Sequence, residues 1–124
     1  MKKLFNIVLA CGVSLLCFSC YYDTELEQEV IIPPPPEGVS FADDVLPIFT
    51  KCTGCHNGNT SPDLRAANAY NALIPNYVTA GNSAASKLYN HLPGIGHPLD
   101  VGFTLSATEI SLIKGWIDQG AENN

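Results

Sequence analysis

The motif Cys-x-x-Cys-His at residues 52–56 constrains this chain more than any other feature. Two cysteines three positions apart, followed at once by a histidine, are typical of a site that attaches a c-type haem. Cys52 and Cys55 would form thioethers with the two haem vinyl groups, and His56 would bind the iron as its proximal ligand. The motif therefore predicts one covalent haem c. The compartment, the size of the domain and the presence of a second iron ligand are the features of the remaining sequence that bear on this prediction.

The charge of the chain argues against a nucleic-acid partner. Its 124 residues include 12 acidic and 6 basic side chains, which gives a formal net charge of −6. Two of the basic residues, Lys2 and Lys3, lie in the N-terminal leader, so the remainder is more acidic still. A nucleic-acid-binding surface needs a basic stripe. The four remaining basic residues, too few for one, are Lys51, Arg65, Lys87 and Lys114.

Residues 1–19 have the pattern of a secretion signal. A basic start is followed by an apolar stretch at residues 7–18, which is too short to span a membrane comfortably and has no basic stop signal after it. Residues 16–20, Leu-Cys-Phe-Ser-Cys, resemble a bacterial lipobox. That resemblance implies a lipoprotein signal peptide, cleavage before Cys20 and lipid attachment to its thiol. The protein would then be exported and lipid-anchored to a bacterial membrane, facing the periplasm or the cell surface.

Two alternatives for the leader remain open. Residues 8–11, Val-Leu-Ala-Cys, also match a lipobox, but cleavage before Cys11 would leave almost no apolar region in the signal. Ordinary signal cleavage would instead leave Cys20 as a spare thiol.

Residues 20–39 are predicted to form an acidic and proline-rich tether. The acidic side chains at positions 23, 25, 27 and 29 alternate with residues that offer no apolar face, so a solvated tail is favoured over a strand. Pro33 to Pro36 then favour a short polyproline spacer. We expect this segment to hold the following domain away from a membrane.

Residues 40–124 are predicted to form one all-α domain. Ser40, Asp43 and Asp44 are all candidate helix caps. A first helix is expected to start near Asp44 and run into Cys52, with Pro47 tolerated in its first turn. Shorter helices are expected at residues 65–73 and 84–92, the second capped by Asn82 or Ser83. These helices are separated by loops rich in glycine, asparagine and proline.

The last helix carries the clearest signals. Residues 106–109, Ser-Ala-Thr-Glu, form a capping box, and Gly120 stands where helices commonly end. An apolar stripe of Ile110, Ile113 and Ile117 lies between them. Gly115 inside this helix costs about 1 kcal/mol relative to alanine, which a close helix crossing or a haem edge would justify.

Several segments together resemble a known family. Residues 41–49 lead into the motif at 52–56, residues 81–83 and 86–89 match a middle helix, and residues 105–121 match a closing helix. In this order they resemble small monohaem cytochrome c domains of the class I type, such as those of Planctomycete and Bacteroidota secreted proteins. The resemblance implies a cytochrome c-like bundle of three to five short helices wrapped around one covalent haem.

The chain departs from this family at the second iron ligand. The family usually places a Met-Pro pair before the last helix, whereas this chain has His97, Pro98 and Leu99 there. The one methionine is Met1, which would leave with the signal. His97 is therefore the predicted distal ligand. His91, a lysine, water or an open site are the alternatives.

These features predict a lipid-anchored cytochrome that passes single electrons to or from an unidentified redox protein. With histidine on both sides of the iron no site is open to small molecules, and no nucleophile signature is present, so an enzyme is not expected. A haem-based sensor or binding protein for a small ligand such as a gas is the alternative. It requires an open or labile sixth site, as a weak peroxidase activity would.

The cysteine pair has two alternative roles that do not involve haem. A thioredoxin-like function requires a βαβ context, which the sequence lacks. A zinc site would need ligands beyond Cys52, Cys55 and His56, and His91 or His97 would have to supply them.

Overall fold

The computed structural model describes residues 31–124, which form helices and turns without any β-strand. The elements in chain order are a π-helical turn (Phe41–Val45), α1 (Leu46–Phe49), α2 (Ala69–Leu73), α3 (Lys87–Asn90) and α4 (Ala107–Asp118). Helices account for 32% of these residues, so the all-α prediction is confirmed for this part of the chain. None of its helices has the length and apolar character needed to cross a membrane. The predicted signal peptide, Cys20 and the acidic part of the tether lie outside the described residues.

Helix α4 forms the centre of the core. Ile110, Ile113, Trp116 and Ile117 on this helix are each at most 2% exposed. The core residues that surround them are Val39, Phe41, Val45, Ile48, Phe49, Leu64, Ala69, Leu73, Val78, Leu88, Leu92, Leu105 and Ala121. This burial explains why the longest helix is also the one with the clearest apolar stripe.

The predicted ends of α4 are confirmed. The Ser106 hydroxyl accepts a hydrogen bond from the Glu109 amide, and the Glu109 carboxylate accepts one from the Ser106 amide. This reciprocal capping box satisfies amides that the first turn leaves without helical partners. After the C-cap, Gly120 has a φ of +113°, a conformation that glycine adopts without steric cost.

An aromatic cluster joins the first helical segment to α4. The Phe41 ring lies with its centroid 5.0 Å from that of Trp116 and 5.3 Å from that of Tyr70. The Trp116 indole donates to the Glu122 carbonyl at 2.8 Å, and the Tyr70 hydroxyl donates to the Ala121 carbonyl at 3.1 Å. Each buried aromatic polar group therefore has a partner, which also fixes the C-terminal segment.

The predicted limits of the first helix, near Asp44 and at Cys52, are both wrong: α1 ends at Phe49, and turns follow it. Helical structure begins at Phe41, with Ser40 as the N-cap: its hydroxyl accepts from the Asp43 amide, and its amide donates to the Asp44 carboxylate. The Leu46 amide then bonds to the Phe41 carbonyl in a wide π turn. Because Pro47 has no amide to continue the regular pattern, such a turn suits the residues just before it.

The two middle helices are shorter than predicted. The helix expected at residues 65–73 spans Ala69–Leu73, and that expected at 84–92 spans Lys87–Asn90 with Ser86 as its N-cap. The Asn82 side chain instead caps a separate turn by accepting from the Ala85 amide at 3.0 Å. The buried Ser86 hydroxyl donates to the Asn82 carbonyl at 2.8 Å. Such local side-chain bonds compete with helix formation.

The proline-rich part of the predicted tether lies against α4. Val39 is 4% exposed and belongs to the core, and Ile32 packs against it. A Cβ atom added at Gly115 would lie 2.5 Å from the Cβ of Pro35 and 3.2 Å from Cγ2 of Val39. Close approach by this segment, rather than by another helix, therefore accounts for a glycine within α4.

Candidate functional site

The motif at residues 52–56 follows directly after α1 in a series of turns. The Cys52 amide donates to the Phe49 carbonyl at 2.8 Å, and the amides of Cys55 and His56 both donate to the Cys52 carbonyl, at 3.1 and 2.9 Å. Side chains three and four positions apart lie close on helical turns. Cys52 is half-buried and Cys55 is exposed, and both are free thiols.

The His56 ring is oriented by a backbone carbonyl. Its Nδ1 atom lies 3.1 Å from the Pro62 carbonyl oxygen. A carbonyl only accepts, so this contact assigns the ring proton to Nδ1 and leaves Nε2 with its lone pair. Metal-binding histidines commonly donate their second ring N–H in this way. His56 therefore has the tautomer that a metal ligand requires.

The loop that supplies the Pro62 carbonyl is held closed by a charged network. The Leu64 amide donates to the His56 carbonyl at 3.0 Å. The Asp63 carboxylate accepts from Arg65, through Nε at 2.9 Å and Nη2 at 2.6 Å, and from the Asn68 amide group at 2.7 Å. The Arg65 hydrogen bonds hold the pKa of Asp63 well below its usual range, so this carboxylate stays ionised.

Gly58 leaves room for this network. A Cβ atom at position 58, where φ is +95°, would lie 2.9 Å from the Nη2 atom of Arg65. The guanidinium therefore lies close to Gly58 as well as to Asp63.

An ion pair joins the motif to the first turn of α4. The Lys51 ammonium contacts the Glu109 carboxylate, and this hydrogen bond is the main reason why the pKa of Glu109 is lowered. Burial raises the pKa of the neighbouring Cys52 thiol; the Lys51 charge opposes this effect, while Cys55 and Glu109 add to it. The Cys52 thiol therefore lies within the field of α4 residues as well as of its own loop.

His97 lies in a loop that forms an open groove lined by both polar and apolar residues. The loop is closed at its base by a hydrogen bond of 3.1 Å from the Leu105 amide to the Pro93 carbonyl. The groove has a volume of about 240 Å³ and is lined by Pro93, Gly94, Ile95, Gly96, His97, Leu99, Asp100, Val101, Phe103 and Thr104. The exposed fractions of Ile95, Leu99 and Phe103 are 40, 71 and 36%. Such a group of exposed apolar side chains is typical of a binding surface.

The half-buried His97 ring also has a backbone partner. Its Nδ1 atom lies 2.8 Å from the Leu99 carbonyl oxygen and 3.3 Å from the Leu99 amide nitrogen. These contacts need opposite roles for Nδ1, and the shorter one favours a protonated Nδ1 that donates to the carbonyl. Nε2 then keeps its lone pair, as it does in His56.

The structure does not bring the other sequence candidates into this groove. Cys52, Cys55 and His56 are absent from its lining, and so is His91, which is exposed at the C-terminal cap of α3. Within residues 31–124 no three His, Cys, Asp or Glu side chains are gathered into a group that could hold a metal ion. Haem iron does not need such a group, because the porphyrin supplies four nitrogen ligands. Cys20 lies outside the described residues.

The motif and the His97 loop are both tied to the start of α4. The Glu109 side chain contacts Lys51 on one side and Ser106 on the other, and Ser106 directly follows the Leu105 amide that closes the loop. The sequence did not predict the contact of Pro62 with His56, the Asp63–Arg65 pair or the contact of Glu109 with Lys51. The capping box marks Glu109 only as a partner of Ser106, and its contact with Lys51 joins residues 58 positions apart.

The described residues suit a covalent haem. Two free thiols stand at the required spacing, and the next histidine has a bare Nε2. Exposed apolar side chains also line the groove at His97, which is separate from the motif residues in this structure.

In comparisons with known proteins, the chain matches no family model, no curated protein and no solved structure.

Proposed function

We propose that this chain is a lipid-anchored monohaem c-type cytochrome that transfers single electrons. The observation that carries the proposal is the contact between His56 Nδ1 and the Pro62 carbonyl, because it prepares the histidine of the motif for iron. The finer fold proposed is a cytochrome c-like bundle of short helices around the haem. His56 would be the proximal ligand and His97 the distal one.

Bound haem would supply one-electron exchange between Fe(II) and Fe(III). Cys52 and Cys55 would hold it through thioethers, and the lone pair of His56 Nε2 would face the iron. The Pro62 carbonyl accepts a hydrogen bond from Nδ1 of this imidazole, which makes the imidazole a stronger electron donor to the iron. The apolar side chains of the His97 loop would keep water from the iron.

A histidine as the second axial ligand would change the reduction potential of the haem. A methionine ligand raises the potential of a c-type haem, so His97 in its place is expected to lower it. With His97 bound, no coordination position would be open to small molecules. Transfer of electrons, without bond chemistry, is then the role that the ligand set supports.

The charge distribution favours a redox partner with a basic docking surface. Three of the four cations in the described residues, Lys51, Arg65 and Lys114, are already paired with carboxylates. Exposed acidic side chains such as Asp43 and Glu122 add negative charge that would steer a basic partner. Lipid on Cys20 would hold the cytochrome at a bacterial membrane after export.

A haem-based sensor or binding protein for a small ligand is the second candidate. The observation in its favour is the exposed groove around His97, in a loop where Gly94 and Gly102 both have positive φ. A ligand held by such a loop could be displaced by a gas. A sensor would need a weak His97–iron bond, whereas the electron carrier would need a strong one.

Carbon monoxide distinguishes the two candidates. The exported, matured protein is reduced at neutral pH, exposed to the gas and followed by its optical spectrum. An electron carrier with two histidine ligands shows no spectral change and titrates reversibly as a one-electron couple. Rapid formation of a carbon monoxide complex by the unaltered protein would favour the sensor and contradict the carrier.

A further inference from the structure

The segment from Pro33 to Val39 makes a set of matched contacts along one face of α4. The Ser111 hydroxyl donates to the Pro33 carbonyl at 2.8 Å. The Gln119 side chain donates to the Pro36 carbonyl at 2.8 Å and accepts from the Val39 amide at 3.0 Å. These contacts join residues 78 to 83 positions apart in the sequence.

The face of α4 that receives this segment has the required shape. Ser111, Gly115 and Gln119 are four residues apart, so they lie above one another on the helix. Gly115 has no side chain, and a Cβ atom there would lie 2.5 Å from that of Pro35. Ser111 is 1% exposed, and its hydroxyl finds an acceptor on the segment. Without the segment, this face would lose both its cover and that acceptor.

The segment runs parallel to α4. Pro33 contacts the helix at Ser111 and Pro36 contacts it at Gln119, so both chains advance in the same direction. Three residues of polyproline structure cover about 9 Å, and eight residues of helix cover about 12 Å. The Gln119 side chain can span the difference because helical side chains lean towards the N-terminus. Gly38, with a φ of +68°, then turns the chain so that Val39 enters the core.

We propose that residues 33–39 are a strap docked on the Ser111–Gly115–Gln119 face of α4, and that this strap holds the domain close to its anchored end. Ile31 must then leave the domain near Ser111, in the half of α4 that also carries Glu109 and, through it, Lys51 and the Cys52 motif. The part concerning the anchor rests on the proposed lipidation of Cys20; the docking itself does not.

Docking changes the reach of the tether. A free chain from Cys20 to Ser40 would span at most about 70 Å, whereas the 12 residues from Cys20 to Ile31 span at most about 40 Å. The strap therefore shortens the distance over which the domain can search for a partner. A partner in the same membrane is favoured over one at a long distance from it.

The test measures hydrogen exchange of the Val39 amide in the purified full chain. Gly115→Ala places a methyl group against Pro35, so we expect Val39 to exchange roughly tenfold faster, the factor that corresponds to about 1.4 kcal/mol. In the Pro35→Gly background the 2.5 Å contact is removed and only the 3.2 Å approach to Cγ2 of Val39 remains. Because alanine is also the better helix former, the same substitution should then accelerate Val39 exchange by much less than tenfold. The difference between the two backgrounds identifies the Pro35 contact.

The prolines offer a matched control. Pro34 is exposed, whereas Pro35 is half-buried against Gly115. Pro35→Gly should accelerate exchange at Val39 more than Pro34→Gly does, because the Cβ atom of Pro35 lies against Gly115. Equal effects of the two substitutions, or normal Val39 exchange in Gly115→Ala, would overturn the strap.

The folded state is monitored at the Ile117 amide within α4. If Gly115→Ala unfolds the domain, Ser111→Ala is measured instead, because it removes only a hydroxyl. Unchanged Val39 exchange in that variant overturns the proposal. The result can be separated from the proposed function. If the chain binds haem but its Val39 amide is not protected from exchange, only the strap is contradicted. If the Val39 amide is protected but the chain takes up no haem, only the cytochrome is contradicted.

Discussion

The Nδ1 atom of His56 and the carbonyl oxygen of Pro62 lie 3.1 Å apart, and the Asp63–Arg65 pair begins at the next residue. The charged pair thus stabilises the loop that orients the histidine of the motif. This arrangement links an exposed ion pair to the electronic properties proposed for the iron ligand.

Arg65→Lys tests that link without changing the net charge. Lysine cannot reproduce the two-pronged contact of a guanidinium with a carboxylate, so the Pro62 carbonyl should be held less firmly. A less polarised His56 is a weaker donor to ferric iron, and we expect the reduction potential to rise. Potentiometric titration of the haem-loaded protein measures this. Lys87→Arg, a change of the same kind at an exposed site outside the loop, should leave the potential unaltered; equal potentials in all three proteins would contradict the link.

His97→Ala should open the distal side of the iron. We expect the ferric protein to change from low-spin to high-spin in low-temperature EPR, and the reduced protein to gain carbon monoxide binding. His91→Ala is the matched control, since His91 is exposed and outside the groove. A low-spin spectrum that survives in His97→Ala but is lost in His91→Ala would assign the distal position to His91 instead.

Ser106→Ala should destabilise α4 by removing half of its capping box. Loss of an N-cap side chain costs about 1 kcal/mol, which corresponds to a decrease in Tm of about 4–8 °C for a domain of this size. Thermal unfolding followed by circular dichroism measures the change. Thr108→Ala removes an exposed hydroxyl from the same turn and should leave Tm nearly constant; similar losses in the two variants would show that the cap contributes little.

Asp118→Asn should reduce the acid sensitivity of the fold. Partial burial raises the pKa of Asp118, but hydrogen bonds from Lys114 and Ser83 outweigh it, so the folded-state pKa is below its usual value. Stability from such a group is present above the unfolded pKa and is lost as the pH falls through the folded pKa. The variant should therefore be less stable than the unaltered chain at neutral pH, and the difference should shrink below about pH 4. Denaturant unfolding at several pH values measures it, with Glu122→Gln as the control; a difference independent of pH would contradict the assignment.

The parts of the fold that were predictable have local causes. The limits of α4 follow from Ser106, Glu109 and Gly120, which act within one or two turns of the ends they define. Its buried face follows from isoleucines at helical spacing. The π turn at Phe41–Val45 and the shortening of α3 were missed because Asp44 and Ser86 bond to nearby backbone in ways that no apolar period reveals.

The contacts of the site and of the strap depend on distant residues. Pairing of Lys51 with Glu109, and of Pro33 with Ser111, brings together positions more than 50 residues apart. A run of prolines indicates a stiff spacer, but it does not reveal a complementary helix face. His97 was proposed as a ligand from its position in the loop before α4. The contact of His56 with the Pro62 carbonyl depends instead on how the chain between these two residues folds.

The central claim is that Cys52 and Cys55 hold a haem covalently. The chain is expressed for export together with cytochrome c maturation machinery, and the purified, acid-acetone-washed protein is measured as its pyridine haemochrome. The account predicts one haem per chain with the spectrum of two thioether links, a one-thioether spectrum for Cys52→Ala or Cys55→Ala, and no retained haem when both are replaced. A washed, folded protein that retains no haem would contradict the account.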